Sequence, residues 1–378
     1  MLNIIDKPPL HFNSSVNYAH AYLGALADIS TGGKDTKDAV DSGKYPFYVR
    51  SDSVKSINSF SKNTEAILTS GDGVGVGKNY HYVNGRFDYH QRVYCLDNFK
   101  GVFFLFCKNF YKRVIRLSAK NSVDSVRRDM LTEMDVFIPD SIDEQQKIAN
   151  FLTSVDTKIS HLTEKQRLLK DYKKGVIQQI FSQQIRFKDD DGKAFPEWQV
   201  KTIGDVMTES RIKGSSGDVA KKLTVKIWGK GVIPKKDDSK GSENTQYYKR
   251  KAGQFIYGKL DFLNCAFAII PDELDGYEST LDLPSLDVSS LVNKFFVLEV
   301  VKQKRFYKRF GEIADGSRKA KRINVGVFQE MPITLPSKAE QNKIMAFLDS
   351  LDKKTNAVNE QIEQTKLFKK GLLQQMFV

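Results

Sequence analysis

Lys302, Lys304, Arg305, Lys308 and Arg309 fall within about two helical turns, with Phe306 and Tyr307 among them, and Arg318, Lys319, Lys321 and Arg322 follow at once. The first half of the chain offers a matching set: Lys108, Lys112, Arg113, Arg116 and Lys120, then Arg127 and Arg128. Cations in such rows can hold phosphates and displace the counterions condensed on a nucleic acid. A solvated helix face carries the same residue types. Recurrence separates the two readings, because Phe306-Tyr307-Lys308-Arg309 repeats Phe110-Tyr111-Lys112-Arg113 at an offset of 196 residues. A formal net charge of +13 and a pI near 9.3 also point to a polyanionic partner.

Nothing comparable speaks for catalysis. The run Gly71-Asp72-Gly73-Val74-Gly75-Val76-Gly77-Lys78 has the look of a phosphate loop but fails on spacing: Asp72 stands where a Walker loop needs its first glycine, and Asn79 where Ser or Thr would hold magnesium. It reads instead as the tip of a strand-turn-strand. His11, His20, His81, His90 and His161 show no metal-ligand spacing with one another or with cysteine. No paired carboxylates, nucleophile elbow, methyltransferase-type Asn-Pro-Pro-Tyr or nuclease-type acidic pair with Glu-x-Lys is present. Cys95, Cys107 and Cys265 are far apart, which suits a reducing compartment. No apolar run reaches membrane-span length and the opening residues carry no signal-peptide pattern, so a cytoplasmic protein is expected.

The rows are positioned by an architecture that the chain writes twice. Ser141, Glu144, Gln145, Lys147, Ile148, Phe151, Leu152, Ser154 and Asp156 return, 196 residues on, as Ser337, Glu340, Gln341, Lys343, Ile344, Phe347, Leu348, Ser350 and Asp352. Lys173-Lys174-Gly175 likewise returns as Lys369-Lys370-Gly371. Each copy opens with a capping box, Ser141-x-x-Glu144 or Ser337-x-x-Glu340, just after Pro139 or Pro336. Apolar residues then alternate at steps of four and three: Ile148, Leu152, Val155, Ile159 and Leu162 in the first, Ile344, Leu348, Leu351, Val358 and Ile362 in the second. That is the seam of a coiled coil, about 40 residues and roughly 60 Å long in each copy. Polar residues at Gln166, Lys173, Thr355, Thr365 and Lys369 interrupt it.

Between these rods the sequence is strand-like. Residues 45–50, 65–68, 92–96 and 102–106 are short β-branched or aromatic runs bounded by turns, and 110–117 is helical and basic. In the second half 223–227, 254–257, 266–270 and 295–301 read as strands, with an insertion expected in the Lys-, Asp- and Gly-rich stretch 214–243. Further echoes pair Pro9-Leu10-His11-Phe12 with Gln184-Ile185-Arg186-Phe187, and Leu26-x-Asp28-Ile29 with Ile203-x-Asp205-Val206. The expected fold class is α+β: two similar β-rich domains, 1–140 and 184–336, alternating with two long helices, 141–183 and 337–378, that pair as an antiparallel coiled coil.

This order resembles the DNA-specificity subunit of type I restriction–modification systems. The resemblance is carried by Ile138-Pro139 through Asp156 and again by Leu335-Pro336 through Asp352, with support from Phe195-Pro196-Glu197-Trp198 ahead of Ile203-Gly204-Asp205. It implies two target-recognition domains, each reading one half of a split asymmetric site in double-stranded DNA. The helices would act as a spacer and as docking surfaces for two methyltransferase subunits, joined by motor-nuclease subunits. Those partners would carry S-adenosylmethionine, ATP and Mg, so that this chain binds no cofactor and no metal and is not itself an enzyme. The loops 70–84 and 258–280 are the expected places for base reading. The alternative is a non-catalytic coiled-coil adaptor that binds only proteins.

A repeat with interchangeable rods predicts that residues 1–183 alone form a homodimer, each rod replacing the missing partner. With methyltransferase subunits, that dimer is expected to modify a palindrome of the first half-site. Light scattering and methylation mapping check this, and a monomeric soluble fragment would refute it.

Overall fold

The computed structural model describes residue 12, residues 15–100, 125–236, 241–312 and 322–376, with backbone alone at 137 and 373–376. The expected strand at 102–106 and basic helix at 110–117 lie outside them. The chain divides into two compact units, Met1–Gln166 with Val358–Val378, and Arg167–Ala357.

In the first unit, β1 (Tyr18–Tyr22) pairs antiparallel with β8 (Asp135–Pro139). The remaining described strands are β2 (Asp28–Thr31), β3 (Tyr45–Tyr48), β4 (Lys55–Ile57), β5 (Lys62–Ser70), β6 (Tyr80–Tyr89) and β7 (Val93–Asp97). They form a six-stranded sheet in the order β2-β7-β5-β6-β3-β4. The apolar run in β5 is explained by burial on both faces. Ile67 packs with Ile29 and Leu96 on one side, while Ala66 and Leu68 pack with Phe87 and Cys95 on the other, the alternation a pleated strand imposes. The first of these clusters continues into Ile148 and Leu152 of the first long helix.

In the second unit, β9 (Gln199–Thr202) pairs antiparallel with β19 (Pro332–Leu335). A four-stranded sheet runs β10 (Met207–Ser210), β18 (Ser285–Val288), β15 (Phe255–Tyr257), β16 (Phe267–Ile269). A second sheet joins β11 (Lys213–Ser216), β14 (Gln246–Lys249) and β17 (Glu278–Ser279), and β12 (Leu223–Val225) makes a hairpin with β13 (Val232–Pro234). The core is aromatic: Phe255, Tyr257, Phe262, Phe267 and Phe328 pack ring on ring, Tyr257 and Phe328 at 4.7 Å between centroids. Arg250 is fully buried beside it, donating to the Ser279 and Ser285 hydroxyls and to the carbonyls of Ser210, Ser279 and Thr280. Burial pulls its guanidinium down to about 10.

The strand expected at 295–301 is a helix, Lys294–Val301. Asn293 caps it, its side chain accepting from the Phe295 and Phe296 amides. Phe296, Val297, Val300 and Val301 are buried while Phe295 is exposed, so the apolar run wraps a helical face. The echo between Leu26 and Ile203 is also out of register. Leu23 N–H donates to Met134 O at 2.9 Å, and Ile203 N–H to Met331 O at 3.0 Å. Leu23-Gly24 is therefore the counterpart of Ile203-Gly204, and Tyr18 stands where the second half has Trp198.

The first long helix spans Ile142–Phe181 and the second Lys338–Met376. In the first unit Asp156 meets Lys369 Nζ at 2.6 and 2.8 Å, and Gln166 donates to Asn359 at 2.9 Å. As one number rises the other falls, so the segments run antiparallel. In the second unit the repeat-related pair, Lys173 and Asp352, meets at 2.5 and 2.6 Å, and Ile180 shares a core with Ile344 and Leu348. The seam side chains Ile148, Leu152, Val155, Ile344, Leu348, Leu351, Val358 and Ile362 are buried, and Ile159 and Leu162 half-buried. Three of the polar interruptions, Gln166, Lys173 and Lys369, thus make bonds between helices; Thr355 and Thr365 instead bond back to Leu351 O and Gln361 O.

An unpaired carboxylate forced into this seam costs about 2–5 kcal/mol. Ile148→Asp and Leu348→Asp are each expected to lower the melting temperature clearly in a thermal scan; unchanged melting in both would show that the seam is not a core.

Candidate nucleic-acid interface

The second unit presents its basic row on the helix Lys304–Gly311. The spacing makes the helix amphipathic. Phe306 and Tyr307 are buried, Tyr307 against Phe267 with centroids at 6.4 Å. Lys304, Arg305, Lys308 and Arg309 are exposed. Lys308 Nζ lies 5.7 Å from the Tyr307 ring centre and the Arg309 guanidinium 5.4 Å from that of Phe310, so both cations lean on aromatic rings. No carboxylate among the described residues pairs with Lys304, Lys308 or Arg309. Arg305 differs: it donates to Phe181 O, the last carbonyl of the first long helix, and so caps that helix.

The other candidates divide. Arg322 is exposed and 3.5 Å from Asp282. Arg127 is held by Asp129 at 3.2 Å, a hydrogen bond that lowers the Asp129 carboxyl below its usual range. Arg128 is exposed at the start of the short helix Arg128–Thr132. Lys108, Lys112, Arg113, Arg116, Arg318, Lys319 and Lys321 lie outside the described residues.

The glycine run forms the turn between β5 and β6, whose register begins at Thr69 and Tyr80. Its acidic residue, Asp72, is held by Arg50 at 3.1 Å and Arg92 at 2.6 Å. A carboxylate occupies these arginines, the reverse of a phosphate cradle. Gly75 is required by space, because a Cβ there would sit 2.5 Å from Arg50 O. The turn leaves Val74 88% exposed at its tip.

Two contacts escape a reading of the sequence. Ser141 and Ser337 cap the long helices as expected, each Oγ accepting an amide hydrogen bond at 3.4 Å. The box glutamates, however, reach past their own caps to the segment ahead of each domain. Glu144 accepts from Phe12 N–H at 2.6 Å, and Glu340 takes the Arg186 guanidinium at 3.1 and 3.3 Å. Both carboxylates are buried. Phe12 stacks edge-on to Phe151, and Phe187 packs on Phe347, completing the same clamp at repeat-related residues. The neighbouring glutamines donate to the carbonyls of Pro139 and Pro336, each at 2.8 Å. The Leu10-to-Phe12 echo was the available signal.

Among the described residues no three His, Cys, Asp or Glu side chains are grouped to hold a metal ion, and no helix is long and apolar enough to cross a membrane. Burial pushes the Cys95 thiol up to about 12 and that of Cys265 to about 11, so neither is a ready nucleophile.

The fold and the repeated sequence have known counterparts. The E. coli type I restriction enzyme EcoDI specificity subunit is 22% identical over 386 residues, covering 90% of this chain and 84% of that protein. The type I restriction–modification S subunit from M. genitalium superposes with a TM-score of 0.57 over 99% of both chains at 16% identity. A structure concerned with complex assembly and conformational transition of the type I R-M system gives 0.53, again over 99% of both chains, at 13% identity. The model of the type I restriction modification DNA specificity domain matches twice, at residues 16–170 and 196–365. These matches cover both repeats and most of the sequence, and the chain therefore belongs to the type I restriction–modification DNA specificity family.

Proposed function

We propose that this chain is the subunit that gives a type I restriction–modification complex its DNA sequence specificity. Residues 1–140 and 184–336 are the recognition domains, each reading one half of a bipartite, asymmetric site. The two long helices are the spacer and the docking surfaces for two methyltransferase subunits, with motor-nuclease subunits completing the assembly. The complex described for one of the structural relatives supports this. Binding and positioning are this chain's part, while S-adenosylmethionine, ATP and Mg act on the partner subunits. A cytoplasmic location follows from that role.

The observation that carries the DNA reading is the exposed row Lys304, Lys308 and Arg309, the last two set on rings and all three free of carboxylate partners among the described residues. Such a row holds phosphates and fixes register, while specificity comes from base contacts elsewhere. A coiled-coil adaptor binding only proteins has no use for it, and the DNA specificity match disfavours that reading. Mapping methylated adenines across the host genome, with and without this gene, tests the function directly: loss of one bipartite motif is expected, and an unchanged pattern would refute it.

Replacing Lys308 and Arg309 by Ala is expected to weaken binding to every sequence and to flatten the dependence of log affinity on log salt by roughly one to two units. The pair Lys112 and Arg113 is expected to behave alike. Binding titrations across a salt series measure both. A loss confined to one base position with an unchanged slope would contradict phosphate contact.

A further inference from the structure

The β12–β13 hairpin ends in Lys226-Ile227-Trp228-Gly229-Lys230-Gly231. Lys226 N–H closes it by donating to Gly231 O at 2.8 Å. Within the loop Trp228 has φ +62°, the left-handed region that bulky side chains avoid. Neighbouring backbone holds it there. Trp228 N–H donates to Asn264 O at 2.7 Å and Gly229 N–H to Cys265 O at 2.8 Å. Cys265 is itself left-handed, at φ +55°. An unfavourable backbone is commonly offset by burying the side chain. Here Trp228 is 54% exposed, with Ile227 exposed beside it. The fold holds a strained residue and points its ring at solvent.

The loop itself is cationic. Lys226 and Lys230 flank the ring, both exposed and neither paired with a carboxylate among the described residues. The loop rests on Lys302: a Cβ on Gly229 would lie 2.8 Å from that side chain's Cε. Lys302 is two residues ahead of the helix carrying Lys304, Lys308 and Arg309. An aromatic wedge and a phosphate-holding row therefore adjoin on one unit.

We propose that Trp228 is a DNA contact of the second recognition domain, its ring set against the bases of the second half-site while Lys226 and Lys230 take the flanking phosphates. Apolar side chains used this way enter a groove between base steps, and ring–base contact is insensitive to salt. This rests on the DNA-binding role proposed above and adds a residue that acts on the bases rather than on the charge.

Because the chain has two tryptophans, Trp198→Phe leaves Trp228 as the one indole of this chain, and the partner subunits' own emission is subtracted with the matching Trp198→Phe/Trp228→Tyr complex. In the full chain assembled with its methyltransferase subunits, a duplex carrying the mapped methylation site is expected to quench its fluorescence. Trp228→Asn suits the left-handed backbone and so spares the hairpin. It is expected to weaken binding to that duplex roughly tenfold or more without changing the salt slope, and Trp228→Tyr to restore most of the affinity. Wild-type affinity in Trp228→Asn, or fluorescence indifferent to DNA, overturns the proposal. So does a loss of subunit assembly with DNA affinity intact, which would assign the ring to a protein. Failure of the unaltered complex to bind any duplex would sink the DNA-binding role itself, and is distinct from these outcomes.

Discussion

Asp156 facing Lys369, and its repeat-mate Asp352 facing Lys173, decide which way the two long helices can run. Because the rods carry the same residues at an offset of 196, a parallel in-register pairing would set aspartate beside aspartate and lysine beside lysine. Running antiparallel turns both clashes into bonds. Each pair is partly exposed and contributes only a fraction of a kcal/mol to roughly 1 kcal/mol of stability. The buried seam supplies the cohesion, and the charges select among the ways it could close. Everything that each domain offers to a partner hangs from helices whose direction is set in this way.

The rods were legible because a helix declares itself through its period, and a repeated helix does so twice. The seam, the serine caps and the amphipathic helix of Lys308 and Arg309 all follow from local spacing. The domains were harder. Residues 295–301 are mostly β-branched or aromatic, and the Asn293 cap and the packing of Phe296 and Val300 on one face make them helical. The strand Tyr80–Tyr89 was implied only as the second arm of the strand-turn-strand around the glycine run and had no bounds, since His81, Asn84 and Gly85 break any alternation and its place is set by pairing with β5. The Trp198 counterpart is a tyrosine, which shifted the apparent register by three residues. Glu144 and Glu340 had a plausible local role as capping residues. Their actual partners, Phe12 and Arg186, lie 132 and 154 residues away, a separation that no local pattern encodes.

The interface shows the same division between legible and hidden. Of the basic residues singled out by recurrence, Arg305 serves a helix end and Arg127 an aspartate, which leaves Lys304, Lys308 and Arg309 as the cations on that row with no carboxylate partner among the described residues. Charge counts cannot distinguish a committed arginine from a free one; partner geometry does. Trp228 carried no periodic signal at all. Its significance lies in a backbone angle and in solvent exposure, and neither is written in residue type.

The division of the chain into units has a consequence for how it is made. The unit Arg167–Ala357 is one uninterrupted stretch, so during translation all its contacts are available as soon as that stretch has emerged. The other unit needs Val358–Val378 to complete the partner of its helix segment. Residues synthesised first therefore wait longest: Ile148 and Leu152 can pack at once on the first domain's own core, but the stripe beyond them, from Val155 to Leu162, stays uncovered until the second rod arrives. Contacts spanning this much sequence close slowly, and the exposed stripe meanwhile is open to association with other nascent chains.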